Sequence, residues 1–368
     1  MNFNNFTNKF PVHLYCSIRI PHLNRNNKSL YHFIEHLIYY GLRIPELGIY
    51  SGLQNTNFIY SATAFTDKSS INICFVCSTR KKTQVIKLFE SLEQRKFDIV
   101  FDIFNEQRDY ILEEIANRKE DSFFSWRDKI LEETLKGSQL GYNEIGVLND
   151  VNSITVYDIR DYLYDKNLKF NFYYSIGEKE KYCIKSETVF LWEKNQENVI
   201  LHSSKDRKLS IVCVVPTFTK EDYIWSQIFS DYFLNVNDSV ITKHLISYFD
   251  TYDVHLESEI YDNCIIFHFT AKYGKNVDKN ELLNYVKNCF EINHEIDINK
   301  VKKIILKLKC LLEFNSYRRL YSSYLRLFKL QNKHYLLSKK DYNLIDIEKF
   351  CIKLKKEFQL TREIILID

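Results

Sequence analysis

The chain has 368 residues, of which 45% are hydrophobic and 27% charged, which is typical of a globular protein with one or two cores. Its formal net charge of +3 argues against a general polyanion binder, and no stretch approaches the roughly 18 apolar residues of a membrane span. The N-terminus shows no signal-peptide pattern and the nine cysteines are dispersed, so we expect a cytoplasmic protein.

The first predicted elements are a strand and a helix. Residues 12–20 alternate in polarity and are rich in β-formers, which predicts a strand, and a polar loop follows. A helix is then predicted from Leu30 to Gly41, with Ser29 as its N-cap and Gly41 as its stop. Its apolar positions recur with the i, i+3, i+4 spacing of one helical face: Leu30, Phe33, Ile34, Leu37 and Ile38.

Pattern and composition predict the following elements in the same way. The rest of the first half is predicted as strands 56–65 and 70–78, helices 83–94, 102–119, 122–136 and 153–164, and a strand ending at Gly177. Residues 179–207 are charged and weakly patterned, which suggests a linker. The second half is predicted as strands 209–215, 253–260, 263–273 and 362–367, and helices 221–233, 239–248, 279–290, 297–329 and 345–357.

Strand pairs followed by helices therefore occur twice. This order predicts an α+β fold of two related domains, each a mostly antiparallel sheet covered by helices. We place the domains at residues 1–178 and 208–368, joined by a linker at 179–207.

The strongest local motif lies on the helix that begins at Leu30. His32 and His36 are four residues apart, so their side chains lie on one helical face and can bind one metal ion. Zinc is the default metal for such ligands, and Glu35 beside them can take a proton from a water molecule that the metal activates. The alternative is a surface helix with two solvated histidines.

A third ligand is required, and the helix at 102–119 offers Glu113 and Glu114. The order H-x-x-E-H is the inverzincin signature. Together with the segment Ile111–Ile115 (I-L-E-E-I), it resembles the pitrilysin/insulinase family of metallopeptidases. In that family the second glutamate of such a segment binds zinc, so the resemblance implies Glu114 as the third ligand, with Glu35 as the general base.

The resemblance extends over residues 12–178. Residues 61–71 resemble the family's N-A-Y-T segment, which implies that Thr63, Ala64 and Phe65 contact the substrate. Residues 139–163 resemble a further family stretch, and the overall length is that of a mitochondrial processing peptidase subunit. Family members enclose unfolded peptides in a chamber and bind them as an added strand at a sheet edge. We expect the strand Ile71–Cys77 to form that edge.

Three positions depart from the family pattern. Gln107 replaces a second glutamate that supports the zinc site, and Thr63 stands where asparagine is usual. In the second half Tyr252 matches the tyrosine of a transition-state-stabilising Arg/Tyr pair, but no arginine precedes it. The resemblance therefore implies a zinc-bearing subunit that acts on small or unstructured peptides, such as ribosomally made precursors. We expect a heterodimer in which a second subunit supplies the Arg/Tyr pair. A homodimer is the alternative.

Two other functions remain open from the sequence. The chain is either this peptidase or a non-catalytic family member that serves in assembly or substrate binding. Residues 301–340 contain eleven Lys/Arg and one acid. Such a basic segment occurs on nucleic-acid-binding surfaces, but it is more often the solvated face of a long helix. It could also line a chamber and attract acidic peptides. We predict no nucleic-acid partner.

Cys74 and Cys77 lie in one strand, and no second cysteine pair follows at the spacing of a zinc site. We therefore expect both side chains to pack in the protein and not to bind a metal ion.

Overall fold

A computed structural model gives the fold of this protein. It describes residues 12–19, 28–68, 70–135, 139–165, 168, 170–176, 179–183, 198–203, 207–216, 220–234, 239–260, 264–290, 296–314, 346, 349 and 360–366. The chain divides into two compact units, Met1–Thr188 and Val189–Asp368. No helix in the described part of the chain is both long enough and apolar enough to cross a membrane.

The first unit is built on a five-stranded antiparallel sheet. Its elements are β1 (Val12–Arg19), α1 (Lys28–Gly41), β2 (Leu42–Arg43), β3 (Ile59–Thr66), β4 (Ser70–Cys77), α2 (Lys82–Glu93), β5 (Asp98–Ile99), α3 (Phe104–Glu120), α4 (Ser122–Thr134), α5 (Leu148–Ser153), α6 (Val156–Leu163), β6 (Phe170–Ile176) and β7 (Lys179–Cys183). The strand order in the sheet is β3-β4-β1-β6-β7, and β2 and β5 form a separate short pair. The predicted α+β class is confirmed.

The edge strand differs from the prediction. Residues 71–77 lie in β4, which is paired on one side with β1 and on the other with β3, so they form an interior strand. The free edge belongs to β3, which contains Thr63, Ala64 and Phe65. The difference is visible in burial, because β4 is buried on both faces whereas β3 is largely exposed or half-buried.

The core of the first unit lies between one face of the sheet and the helices. Strand side chains that alternate along β4 (Ile71, Ile73, Phe75) pack with the apolar stripe of α1, of which Phe33 and Leu37 are fully buried. α1 contacts both the sheet and α3.

Two local features differ from the sequence-based expectation. α1 begins at Lys28, so Ser29 lies inside the helix, and its hydroxyl pairs with the backbone of Val147 instead of capping. The helix expected at 153–164 is α6, and a further short helix, α5, precedes it. They are separated at Thr155, whose hydroxyl caps α6 in a capping box with Asp158.

The second unit has a similar sheet. Its elements are β8 (Asn198–Ser203), β9 (Lys208–Pro216), α7 (Lys220–Phe229), α8 (Val240–Tyr248), β10 (Tyr252–Ile260), β11 (Cys264–Lys272), α9 (Lys279–Phe290), α10 (Ile298–Phe314) and β12 (Leu360–Leu366). The strand order is β10-β11-β9-β8-β12, and only the β8–β12 pair is parallel among these strands. A π-helical turn, Ser230–Leu234, extends α7. A separate core includes Phe229, Phe267 and Phe269.

Residues 179–207 are not simply a linker. Both β7 and β8 lie in this segment, and each is paired within the sheet of its own unit. The charged sequence of β7 suggested a linker, but lysines are also common on edge strands such as this one. Of the predicted helix 297–329 the structure describes Ile298–Phe314, and most of the helix predicted at 345–357 and the basic residues beyond 314 lie outside the described residues.

Candidate metal centre

Two histidines and one carboxylate converge in the first unit. His32 and His36 stand one turn apart on α1, with their ring centroids 4.7 Å apart and nearly perpendicular. Glu114 Oε2 lies 3.3 Å from His32 Nε2 and 3.7 Å from His36 Nε2. These three atoms lie within 4.8 Å of one another. Bonds of about 2.0–2.1 Å to a tetrahedral ion put ligand atoms roughly 3.3 Å apart, so the group has the dimensions of a zinc site.

Packing between α1 and α3 brings Glu114 to the histidines. Phe33 of α1 stacks on Phe104 of α3, with ring centroids 4.8 Å apart. The buried side of α3 also carries Gln107, Ile111 and Ile115. Glu114 is one residue away from this buried stripe, so it lies at its border, and its side chain is half exposed.

The outer ring nitrogens of both histidines have defined partners. His32 Nδ1 lies 3.2 Å from the carbonyl oxygen of Ile145, and His36 Nδ1 lies 3.1 Å from Gln107 Oε1. Because a carbonyl oxygen only accepts, Nδ1 of each ring carries the proton and donates it. The lone pair of each Nε2 then points towards Glu114. Such contacts are usual behind metal-binding histidines.

This arrangement requires a cation among the three inner atoms. Two nitrogen lone pairs and a carboxylate repel one another unless a proton or a metal ion lies between them. When the rings are protonated, hydrogen bonds from His32 and His36 hold the pKa of Glu114 well below its usual range. Burial lowers the pKa of His36, but its contacts with Glu114 and the charge of Glu35 outweigh burial and raise it. The residues therefore fit a divalent metal ion.

Glu35 lies beside the three ligand atoms without being one of them. Its side chain is buried, and Thr66 at the end of β3 donates a hydrogen bond of 2.8 Å to Oε2. Burial raises the pKa of Glu35, although His32, His36 and the Thr66 hydroxyl act in the opposite direction. A carboxylate with a raised pKa is suited to accept a proton and then release it.

The residues predicted to bind the substrate or to support the metal site lie in both units. Thr63, Ala64 and Phe65 lie on β3, which Tyr39 joins to α1 by donating a hydrogen bond of 3.1 Å to the Ala62 carbonyl. Gln107 is buried against His36, so its expected contact with the site is present. Tyr252 begins β10 in the second unit and is exposed.

The sequence did not reveal two of the contacts. The Ile145 carbonyl is a backbone atom, which no residue type marks. Thr66 lies within the segment 61–71, directly after Phe65, so its position was a usable signal.

No protein-family model and no curated protein sequence matches the chain. Solved structures with the same fold include proteases. A protease from Helicobacter pylori has 14% identity and a TM-score of 0.68, with 97% of this chain and 94% of that chain covered. An M16-like peptidase from Alicyclobacillus acidocaldarius has 10% identity and a TM-score of 0.63, covering 97% and 93%.

A longer protein also shares the fold. The periplasmic protease PqqL from Escherichia coli has 14% identity and a TM-score of 0.66, covering 97% of this chain but 45% of that protein. The chain therefore spans less than half of PqqL, and its fold is that of these peptidases.

Proposed function

We propose that this protein is a zinc-dependent endopeptidase that cleaves small or unstructured peptides. The observation that carries the proposal is the convergence of His32 Nε2, His36 Nε2 and Glu114 Oε2, with the Glu35 carboxylate beside them. A fold shared with solved proteases supports it. Because one fold hosts many functions, the argument depends on the site itself.

Each residue of the site has a distinct task. His32, His36 and Glu114 would hold the metal ion. Zinc, when bound, supplies a Lewis acid that lowers the pKa of a water molecule to about 7 and polarises the scissile carbonyl. Glu35 takes the proton of the attacking water and passes it to the leaving amine. Thr66 holds Oε2 of Glu35, which leaves Oε1 to carry the proton.

The free edge of β3 offers a place for the substrate backbone. A peptide that adds to this edge as a further strand would lie next to Thr66, whose hydroxyl contacts the proposed base. Thr63, Ala64 and Phe65 would contact its side chains. Only an extended, unpaired segment can bind in this way, so folded proteins are poor substrates.

We further propose that the active form contains a second subunit. Tyr252 lacks the preceding arginine of the Arg/Tyr pair that stabilises the developing oxyanion in the family this chain resembles. A protein of the same fold, PqqL, is about twice as long as this chain. A heterodimer in which the partner provides the pair is the arrangement we favour, with a homodimer as the alternative.

Incubation of the zinc-loaded chain with a library of unstructured peptides tests the proposal. Any product that mass spectrometry detects with the wild type should be absent with Glu35→Gln. Glu113→Gln is the matched control, because Glu113 is exposed, adjacent to the ligand and outside the group of three.

Activity of the isolated chain would contradict the requirement for a second subunit. Stoichiometric zinc without cleavage would indicate a subunit that awaits its partner, whereas a wild type that binds no zinc at all would refute the peptidase.

A further inference from the structure

The carbonyl oxygen that orients His32 belongs to a short loop, residues 142–147, which we call the carbonyl loop. Several contacts fix its backbone. The Ile145 N–H donates to Asn143 Oδ1 at 3.0 Å, and the Val147 N–H donates to Ser29 Oγ at 3.0 Å. Gly146 has φ +93°, and a Cβ there would lie 2.1 Å from Ser29 Oγ. The loop is thus in close contact with the first turn of α1.

A cluster of five charged side chains includes one residue of this loop. Glu144 is its centre: Oε2 lies 3.2 Å from Lys68 Nζ, and Oε1 lies 3.0 Å from Arg118 Nη2 and 3.4 Å from Arg127 Nη1. Arg118 also makes a bidentate pair with Asp128, with both distances 2.7 Å. Burial raises the pKa of Glu144, but Lys68, Arg127 and Arg118 outweigh burial and lower it. The three cations therefore favour the ionised form of Glu144.

Lys68 connects this cluster to the other side of the site. It lies in the turn between β3 and β4, two residues after Thr66, and its side chain is 2% exposed. Besides Glu144 it contacts the carbonyl of Tyr142, so it contacts the carbonyl loop at two points. Lysine is seldom buried to this degree, and a buried lysine usually has a specific partner.

Two chains of contacts therefore meet at one ion pair. On one side Glu35 is bound by Thr66, which is two residues from Lys68. On the other side His32 is bound by Ile145, which is the neighbour of Glu144. The proposed base and one proposed metal ligand are thus each connected to the Lys68–Glu144 pair by one hydrogen bond and one or two residues of backbone.

We propose that Lys68 and Glu144 are positioning residues that fix the His32 ring, through the carbonyl loop, relative to Glu35. This inference rests on the proposed metal-dependent function. A pair of this kind acts on geometry, because a metal site and its base tolerate displacements of only about 0.5 Å. The pair joins two segments that are remote in sequence, as a positioning contact must.

The alternative is that the pair only stabilises the fold. Removal of one member of a buried ion pair is strongly destabilising in any case, so loss of activity alone would not distinguish the two. The test must measure His32 itself. We choose Lys68→Met, Glu144→Gln and the double variant Lys68→Met/Glu144→Leu, which leaves no unpaired charge at these two positions.

The matched control is Arg95→Met. Arg95 is another partly buried cation of the first unit, whose guanidinium donates to the carbonyls of Leu92 and Leu168 and lies over the Phe170 ring. Its contacts lie at the end of α2, away from the carbonyl loop. This variant should lower the melting temperature without changing the metal site.

Two measurements are made on all variants. Zinc Kd is determined by chelator competition, and the His32 Nδ1–H signal is followed by proton–nitrogen NMR of the metal-free protein. In each single variant we expect Kd to rise about tenfold, as for other residues behind metal ligands, and the Nδ1–H signal to exchange faster. The double variant should resemble the singles, since the two changes remove one interaction. Lys68→Arg should recover most of the affinity.

The outcomes separate the two proposals. Lower melting temperatures with an unchanged Kd and an unchanged Nδ1–H signal would overturn the positioning role and leave the peptidase intact. If the wild type binds no zinc, the proposed function fails. The NMR signal then still decides whether Lys68 and Glu144 position His32.

Discussion

The two units share one plan and differ in what their helices carry. Each has a five-stranded sheet with a hairpin at one edge, β3–β4 in the first and β10–β11 in the second. In each, a helix follows the central strand of the sheet: α1 after β1 in the first unit and α7 after β9 in the second. α1 carries His32, Glu35 and His36 beside Glu114 of α3, whereas α7 carries Trp225 and Phe229, which lie in an apolar core.

This difference between the helices shows that the shared fold does not by itself produce a candidate metal centre. Among the residues that the structure describes, only His32, His36 and Glu114 form a group that could hold a metal ion, and all three lie in the first unit. α3 supplies Glu114, whereas the exposed residues of α10 in the second unit include Lys302, Lys303 and Lys307. The shared sheet therefore provides a scaffold, and a few polar side chains on two helices make one unit a candidate metal centre.

The largest effects should come from a matched pair of core variants. Phe33 and Phe229 are both fully buried, in α1 and α7, and either change to alanine should cost about 3–5 kcal/mol of the free energy of unfolding. Phe33→Ala should also weaken zinc binding, because Phe33 stacks on Phe104 and holds α3 in place. Phe229→Ala should leave zinc Kd unchanged. Denaturant unfolding and chelator competition measure both, and a weaker zinc Kd in Phe229→Ala would show that the site depends on both units.

Loss of the third ligand should have the next largest effect. A structural zinc site is worth about 10–16 kcal/mol over four ligands, so Glu114→Gln should cost about 3 kcal/mol, or roughly a hundredfold in Kd. Calorimetric titration measures this loss. Glu113→Gln, one residue away and exposed, should bind zinc as the wild type does. Equal affinities in the two variants would mean that α3 supplies no ligand.

Periodicity and spacing were sufficient for the local structure. The i, i+3, i+4 stripe predicted α1, and the spacing of His32 and His36 predicted that both lie on one face of it, because both features depend on neighbours within one turn. The Asp158 capping box that separates α5 from α6 was present in the sequence and could have been read.

Long-range contacts were beyond this reasoning. The order of strands depends on pairing between distant segments, although the continuous apolar run of residues 73–77 was itself a sign of an interior strand. Ile145 acts through a backbone oxygen, and Lys68 meets Glu144 only in the folded chain. No local pattern marks either contact.

A smaller effect should follow from a change behind one ligand. In Gln107→Glu, His36 Nδ1–H would donate to a carboxylate instead of an amide oxygen, which makes the hydrogen bond stronger and the ring a better ligand. We expect zinc Kd to fall about tenfold, and to rise about tenfold in Gln107→Leu, which has no acceptor. If both variants bind zinc as the wild type does, Gln107 has no influence on the metal centre.

The smallest effect concerns the base. Thr66→Val removes the hydroxyl that holds Glu35 Oε2 at almost constant volume, so about 1 kcal/mol, or roughly fivefold in the turnover rate of the active assembly, should be lost. Zinc Kd should not change, since Thr66 contacts no ligand atom. Thr134→Val, which removes a hydroxyl bound to the Ile130 carbonyl in α4, is the matched control. Slower turnover at constant Kd would separate the base from the metal ligands within the first unit. A change in Kd alone would assign Thr66 to the metal centre instead.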